Sequence, residues 1–140
     1  MTGKPSTLNS IASLIEAARV PLSTEEAAQA ALHELFKGMV PDRLEAVERE
    51  YRVDAANRID FLLVAKPHQS RLVPRTWPRR IGVEVKINKG SARAIYRQIE
   101  RYAKTGCFDA LLIVKNRAFS LPQEVCGVPV AAASLGKGWL

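Results

Sequence analysis

Asp60, in the run Arg58-Ile59-Asp60-Phe61, and Glu84-Val85-Lys86 are the residues of this chain whose types and spacing point to chemistry. Both lie in stretches of strand character, 58–64 (RIDFLLV) and 81–87 (IGVEVKI). Side chains alternate faces along a strand, so Glu84 and Lys86 are expected on one side and Val83, Val85 and Ile87 on the other. Asp60 is likewise expected out of phase with Ile59, Phe61 and Leu63. Two carboxylates and an ammonium rising from neighbouring strands cost several kcal/mol of desolvation unless something compensates them. A divalent metal ion beside the lysine would do so. Such a set suits hydrolysis of phosphodiesters.

The elements that must position these groups follow from periodicity. Ile11, Leu14, Ile15 and Ala18 recur at helical spacing over about residues 6–19. This accessory segment within residues 1–20 is expected to pack on the core or, less simply, to dock a partner. Ser23-Thr24-Glu25-Glu26 reads as a capping box with Glu26 reaching back to Ser23. Ala28, Leu32, Leu35 and Phe36 form the buried stripe of the helix it starts. Glu25 falls on that stripe at its first turn, either at the rim or turned into a polar site. Residues 44–53 and 58–64 read as a hairpin, 71–80 as a basic loop, and 81–87 as the third strand. Residues 91–104 follow as a helix with Ile95, Ile99 and Tyr102 inward. Two more strands, 110–114 and 128–133, close the order, with a loop through Pro122 between them. A right-handed crossover through the 91–104 helix sets the fourth strand parallel to the third. The expected fold is α/β, a mixed central sheet flanked by helices, in one domain over residues 1–140.

Asp60, then Glu84-Val85-Lys86, in an αβββαβ order over about residues 23–133, resembles the PD-(D/E)xK nuclease superfamily. Gln98-Ile99-Glu100-Arg101-Tyr102 is similar to the Q-x-x-x-Y element of its RecB-like members. The resemblance implies a restriction-endonuclease-like core and Mg²⁺ or Mn²⁺ held by Asp60, Glu84 and the Val85 carbonyl, with Glu25 the best match to a further ligand. Lys86 would position or activate the attacking water. Ile59 stands where the superfamily carries proline before the aspartate. Gln98 and Tyr102, one turn apart on a helix, can reach one phosphate or water; equally, Tyr102 can be a core aromatic with Gln98 as its hydrogen-bond partner.

Charge narrows the partner. Residues 1–65 hold seven Lys/Arg against ten Asp/Glu, residues 66–104 eleven against two, and residues 105–140 three against two, so the net +7 is concentrated around the proposed site. A dense basic stretch of this kind meets a polyanion. Arg93, Arg97, Arg101 and Lys104 form a stripe at helical spacing that can track phosphates. Arg58, Arg75, Arg79, Arg80 and Lys89 are the other candidate DNA contacts. Trp77 reads as a core plug or a base-stacking ring, and His33 and His68 as isolated, solvent-exposed positions. Cys107 and Cys126 match no zinc or redox spacing and read as buried, reduced thiols. The apolar runs are too short to span a bilayer, and the first residues lack a signal-peptide pattern, so a cytoplasmic protein is expected. The resulting expectation is a Mg²⁺-dependent DNA nuclease, probing DNA structure alone, as a homodimer, or with a protein partner supplying specificity. The rival readings are a catalytically silent DNA-binding module and a nuclease-fold subunit of a larger complex.

Overall fold

The computed structural model describes residues 7–67, 78–117 and 119–136 of the 140. Arg75, Trp77 and His68, named above, lie outside the described residues. The chain runs α1 (Thr7–Ala17), α2 (Glu25–Lys37), β1 (Leu44–Arg52), β2 (Arg58–Ala65), β3 (Arg80–Lys86), α3 (Ala92–Lys104), β4 (Ala110–Lys115), β5 (Glu124–Val125) and β6 (Val128–Ser134). The strands form one sheet in the order β1-β2-β3-β4-β6-β5. β1–β2 and β2–β3 are antiparallel, β3–β4 and β4–β6 parallel, and β5–β6 antiparallel. The fold is therefore α/β with a mixed six-stranded sheet. No helix of the described residues is long and apolar enough to cross a membrane.

Each face of the sheet has its own apolar layer. On one face Ile11 and Ile15 of α1 and Ala28, Leu32 and Phe36 of α2 pack with Phe61, Leu63, Ile81, Val83 and Val85. On the other, Ile95, Ile99 and Tyr102 of α3 pack with Leu62, Leu111 and Ile113. β4 is buried along its whole length, as the central strand of a sheet covered on both faces must be. The α1 stripe is thus core, and Ile11 and Ile15 offer no docking face. Glu16 of α1 also accepts a hydrogen bond from the Ser134 N–H at 2.8 Å, tying α1 to β6.

Several expectations need correction. α2 is capped by Thr24, whose hydroxyl accepts from the Ala27 N–H, so Glu26 sits one residue too early to close a capping box. The stretch between β4 and β6 contains β5, joined to β6 by the two-residue turn Cys126-Gly127. Cys126 is exposed and Cys107 half-buried, and both are free thiols. His33 is half-buried, its ring 5.9 Å from that of Phe61. Ile59 does not share a face with Phe61 and Leu63: it lies in the α3 layer. The reason is local. β1–β2 pairing steps from Arg49–Phe61 to Tyr51–Ile59 across Glu50 and Asp60, and Glu50 has φ 53°. That left-handed backbone, costing a non-glycine residue about 1 kcal/mol, turns the far half of the hairpin, so Tyr51 and Ile59 swing to the α3 side.

Gly82 of β3 makes this close packing feasible. A Cβ there would meet Ile59 Cδ1 at 2.7 Å, Leu111 Cδ2 at 2.9 Å and Phe108 Cδ1 at 3.0 Å. Gly82→Ala is expected to destabilise the protein by about 1–3 kcal/mol through overpacking, measured by urea denaturation. An unchanged midpoint would mean that the α3 layer is looser than described.

Candidate active site

The β2–β3 ladder pairs Phe61 with Val83 and goes no further toward the start of β2. Continued in register, the next rung would join Asp60 to Glu84. Instead the two side chains take over the backbone groups left open there. The Asp60 N–H donates to Glu84 Oε1 at 3.2 Å, and the Val85 N–H donates to Asp60 Oδ2 at 2.7 Å. On its other edge β3 stays paired to β4 as far as Lys86 and Lys115. One end of the sheet is thus pried open on one side of β3 and held on the other, and both carboxylates sit in the opening.

The α3 helix completes the arrangement. Gln98 Nε2 donates to Glu84 Oε2 at 2.8 Å and to the Tyr102 hydroxyl at 3.1 Å. The Tyr102 hydroxyl in turn donates to the Arg58 carbonyl at 2.9 Å. Tyr102 is buried among Ile99 and Phe108, and burial raises its phenol above the usual range. Its hydroxyl is committed on both sides, so Tyr102 holds Gln98 in place and does not face solvent. The chain Arg58–Tyr102–Gln98–Glu84 fixes the Glu84 carboxylate from behind. Lys86 Nζ stands 3.3 Å from Glu84 Oε2, on the same face of β3.

Glu84 is only 5% exposed. Burial first, then the neighbouring Asp60, pushes its carboxyl up to about 7, against the opposing pull of Lys86 and of its hydrogen bonds. Burial also raises Asp60, with the Val85 N–H and Lys86 opposing and Glu25 adding to the rise. Keeping both groups ionised at neutral pH takes more positive charge than one lysine supplies. The donors are all oxygens, the kind hard cations such as Mg²⁺ and Mn²⁺ take. In an extended strand the N–H and C=O of one residue face the same neighbour; the Val85 carbonyl therefore points to the same opening as its N–H. The set fits a divalent ion.

Glu25 approaches from α2 but is engaged elsewhere. Its Oε2 accepts from the Ile87 N–H at 3.4 Å and pairs with Lys89 Nζ at 3.2 Å. Among the described residues no three His, Cys, Asp or Glu side chains form a group that could hold a metal ion. The expected three-carboxylate set is therefore not assembled: Asp60 and Glu84 come together, and Glu25 influences Asp60 from beside them.

The basic residues divide into two groups. Arg93, Arg97, Arg101 and Lys104 are exposed along α3, opposite Ile95 and Ile99, and make no ion pair among the described residues. Arg58 is exposed at the start of β2, beside the opening. Arg79 and Arg80 do not belong with them. They stand at the far end of β3, roughly 13 Å from Glu84 for the four-residue rise between Arg80 and Glu84. The Arg80 guanidinium donates to the Cys107 carbonyl at 2.8 Å and to the Tyr51 hydroxyl at 3.0 Å. Arg79 donates to the Ala65 carbonyl and pairs with Glu45, while Asp109 takes both their backbone N–H groups. These two arginines fasten strands together. Replacing Arg93, Arg97 and Arg101 together with alanine should weaken DNA binding and flatten its salt dependence by up to about one unit of slope per lost phosphate contact. A slope equal to that of the wild type would show that the α3 stripe meets only solvent.

Lys115 escaped the sequence reading. Its signal is a lysine ending an otherwise apolar strand, Ala-Leu-Leu-Ile-Val-Lys, whose every position is buried. Comparison of the chain with protein-family models, with curated proteins and with solved structures finds no match.

Proposed function

We propose that this protein is a divalent-metal-dependent nuclease of the PD-(D/E)xK kind with a restriction-endonuclease-like core, acting on DNA. The observation that carries this reading is the opening of the β2–β3 ladder, where Asp60 and Glu84 replace the backbone pairing and Lys86 stands beside them. A fold would gain more stability from one further rung and two apolar side chains than from two desolvated carboxylates. Their presence together is explained by a ligand that they hold.

Asp60, Glu84 and the Val85 carbonyl would hold Mg²⁺ or Mn²⁺. Bound there, such an ion neutralises charge on the scissile phosphate and lowers the pKa of water. Lys86 Nζ stands against Glu84 Oε2, from where it would orient the attacking water and stabilise the hydroxide left when the proton of that water passes to bulk solvent. Gln98 holds Glu84 in one rotamer, so the carboxylate does not rotate away as charge shifts around it. Arg58 and the α3 stripe supply the cationic surface along which a phosphate backbone can lie.

The test is incubation of the purified protein with supercoiled, linear, single-stranded and branched DNA in Mg²⁺, Mn²⁺ or EDTA. Cleavage is expected with either ion and none with EDTA. Intact DNA in every arm, together with no Mn²⁺ uptake by titration calorimetry, would replace this reading with that of a DNA-binding module.

A further inference from the structure

Beyond Lys86, the β3–α3 connection and the end of β4 border an open cavity of about 460 Å³ whose lining includes Lys89, Ser91, Lys115, Arg117 and Phe119. Among the described residues no Asp or Glu lines it. Lys115 is 6% exposed, the one buried lysine among the described residues. Its Nζ donates to the Lys89 carbonyl at 3.1 Å and the Gly90 carbonyl at 3.4 Å, and stands 5.4 Å from the Phe119 ring centroid. An ammonium has three donors, so one remains without a protein acceptor among the described residues. It makes no ion pair there, and burial, Arg117 and Lys86 all lower its pKa. Two carbonyls but no carboxylate offset this cation among the described residues, so an anion in the cavity would take its third donor and balance its charge.

The turn into α3 needs a glycine, because the backbone is left-handed and packs against Ile95. Gly90 has φ 89°, and a Cβ there would press on Ile95 at 3.1 Å. α3 begins at this wall with Ser91 as its N-cap and carries no acidic residue in its first turn. Its open N–H groups and the positive end of its dipole add to the charge of the side chains. Lys89 is shared with Glu25, which leaves Lys115 and Arg117 as the cations without a carboxylate partner.

We propose that this cavity binds a phosphate monoester at the end of a nucleic-acid strand, with Lys115 and Arg117 as its charged contacts. A monoester carries close to two negative charges at neutral pH, a diester one, and the cavity offers two cations and a helix N-terminus with no acid to offset them. Lys115 is the β4 neighbour of Lys86, so a strand end seated here lies beside the lysine assigned to the attacking water. This inference rests on the nuclease reading for the nature of the strand and adds to it that the enzyme recognises ends.

Fluorescence anisotropy in EDTA tests it with short single strands identical but for a 5′-phosphate, a 3′-phosphate or hydroxyls at both ends. Wild-type protein should bind one phosphorylated form about tenfold tighter than the hydroxyl form, and the arm that gains identifies the end. Arg117→Ala, at an exposed position, and Lys115→Met should reduce that gain to less than about threefold. Arg97→Ala should weaken all three strands alike. Equal affinity of the wild type for the three strands overturns the proposal, as does a phosphate preference that survives in both cavity variants. The readout needs neither metal nor cleavage. A protein that prefers phosphorylated ends and cuts nothing loses the nuclease reading while keeping this site; one that cuts DNA and ignores end phosphates does the reverse.

Discussion

Asp60→Asn and Glu84→Gln should each lower DNA cleavage by about a thousandfold or more, because each removes a charge that nothing nearby replaces. Lys86→Ala should lose cleavage to a similar degree by a different route. Calorimetric titration with Mn²⁺ separates the routes: the two carboxylate variants should lose metal affinity, and Lys86→Ala should keep it. All three should remain folded and bind DNA in EDTA, since their side chains lie at the end of the sheet rather than within its apolar layers. Removing a carboxylate in the absence of metal takes a negative charge away from an approaching phosphate, so binding in EDTA should hold or tighten. Wild-type cleavage rates in Asp60→Asn or Glu84→Gln would remove the ladder opening from the mechanism.

Glu84→Gln should also stabilise the metal-free protein at neutral pH. In the folded chain the Glu84 carboxyl is raised from 4.5 to about 7, so the fold favours its protonated form. That contribution is fully present below about pH 4.5 and is lost as the pH climbs from there to about 7. At roughly 1.4 kcal/mol per pKa unit the loss approaches about 3 kcal/mol, with the raised Asp60 acting in the same direction. Glutamine cannot ionise and escapes the loss. Wild type and Glu84→Gln compared by thermal melting in EDTA should therefore nearly coincide at pH 4 and separate by about 10 °C at pH 7.5. Adding Mg²⁺ at pH 7.5 should close the gap from the wild-type side. Parallel melting curves across the whole pH range would mean that the site is better solvated than its burial indicates.

Much of this arrangement is legible in the order of residues. The alternation through Ile81-Gly82-Val83-Glu84-Val85-Lys86 places Glu84 and Lys86 on one face because β3 is paired with β4 from Ile81 through Lys86, so its period is enforced. The spacing of Gln98 and Tyr102 places both on the inner side of α3. Asp60 is found by the same rule, yet its neighbour Ile59 is misplaced, since alternation fails where pairing steps over a rung and Glu50 turns the hairpin. The start of α2 is decided between Ser23 and Thr24, two residues of similar capping ability, and the extended backbone and hydrogen bond of the cap fall on Thr24. Arg79 and Arg80 read as free cations because their partners, Glu45, Tyr51, Cys107 and Asp109, are distant in sequence. Charge counted along a chain locates a polyanion site only after internal pairing is subtracted.

The outer margin of the sheet has a bearing on assembly. β1 forms one edge and presents Glu45, Glu48, Arg49, Glu50 and Arg52 to solvent, with the backbone turned out of the extended region at Glu50. β5, the other edge, is two residues long. A foreign strand zipping onto β1 would lose registry at Glu50 and meet a row of hydrated charges, and β5 offers too little length to template one. Both margins are guarded against runaway sheet growth, so copies of this chain have no edge through which to join their sheets into one.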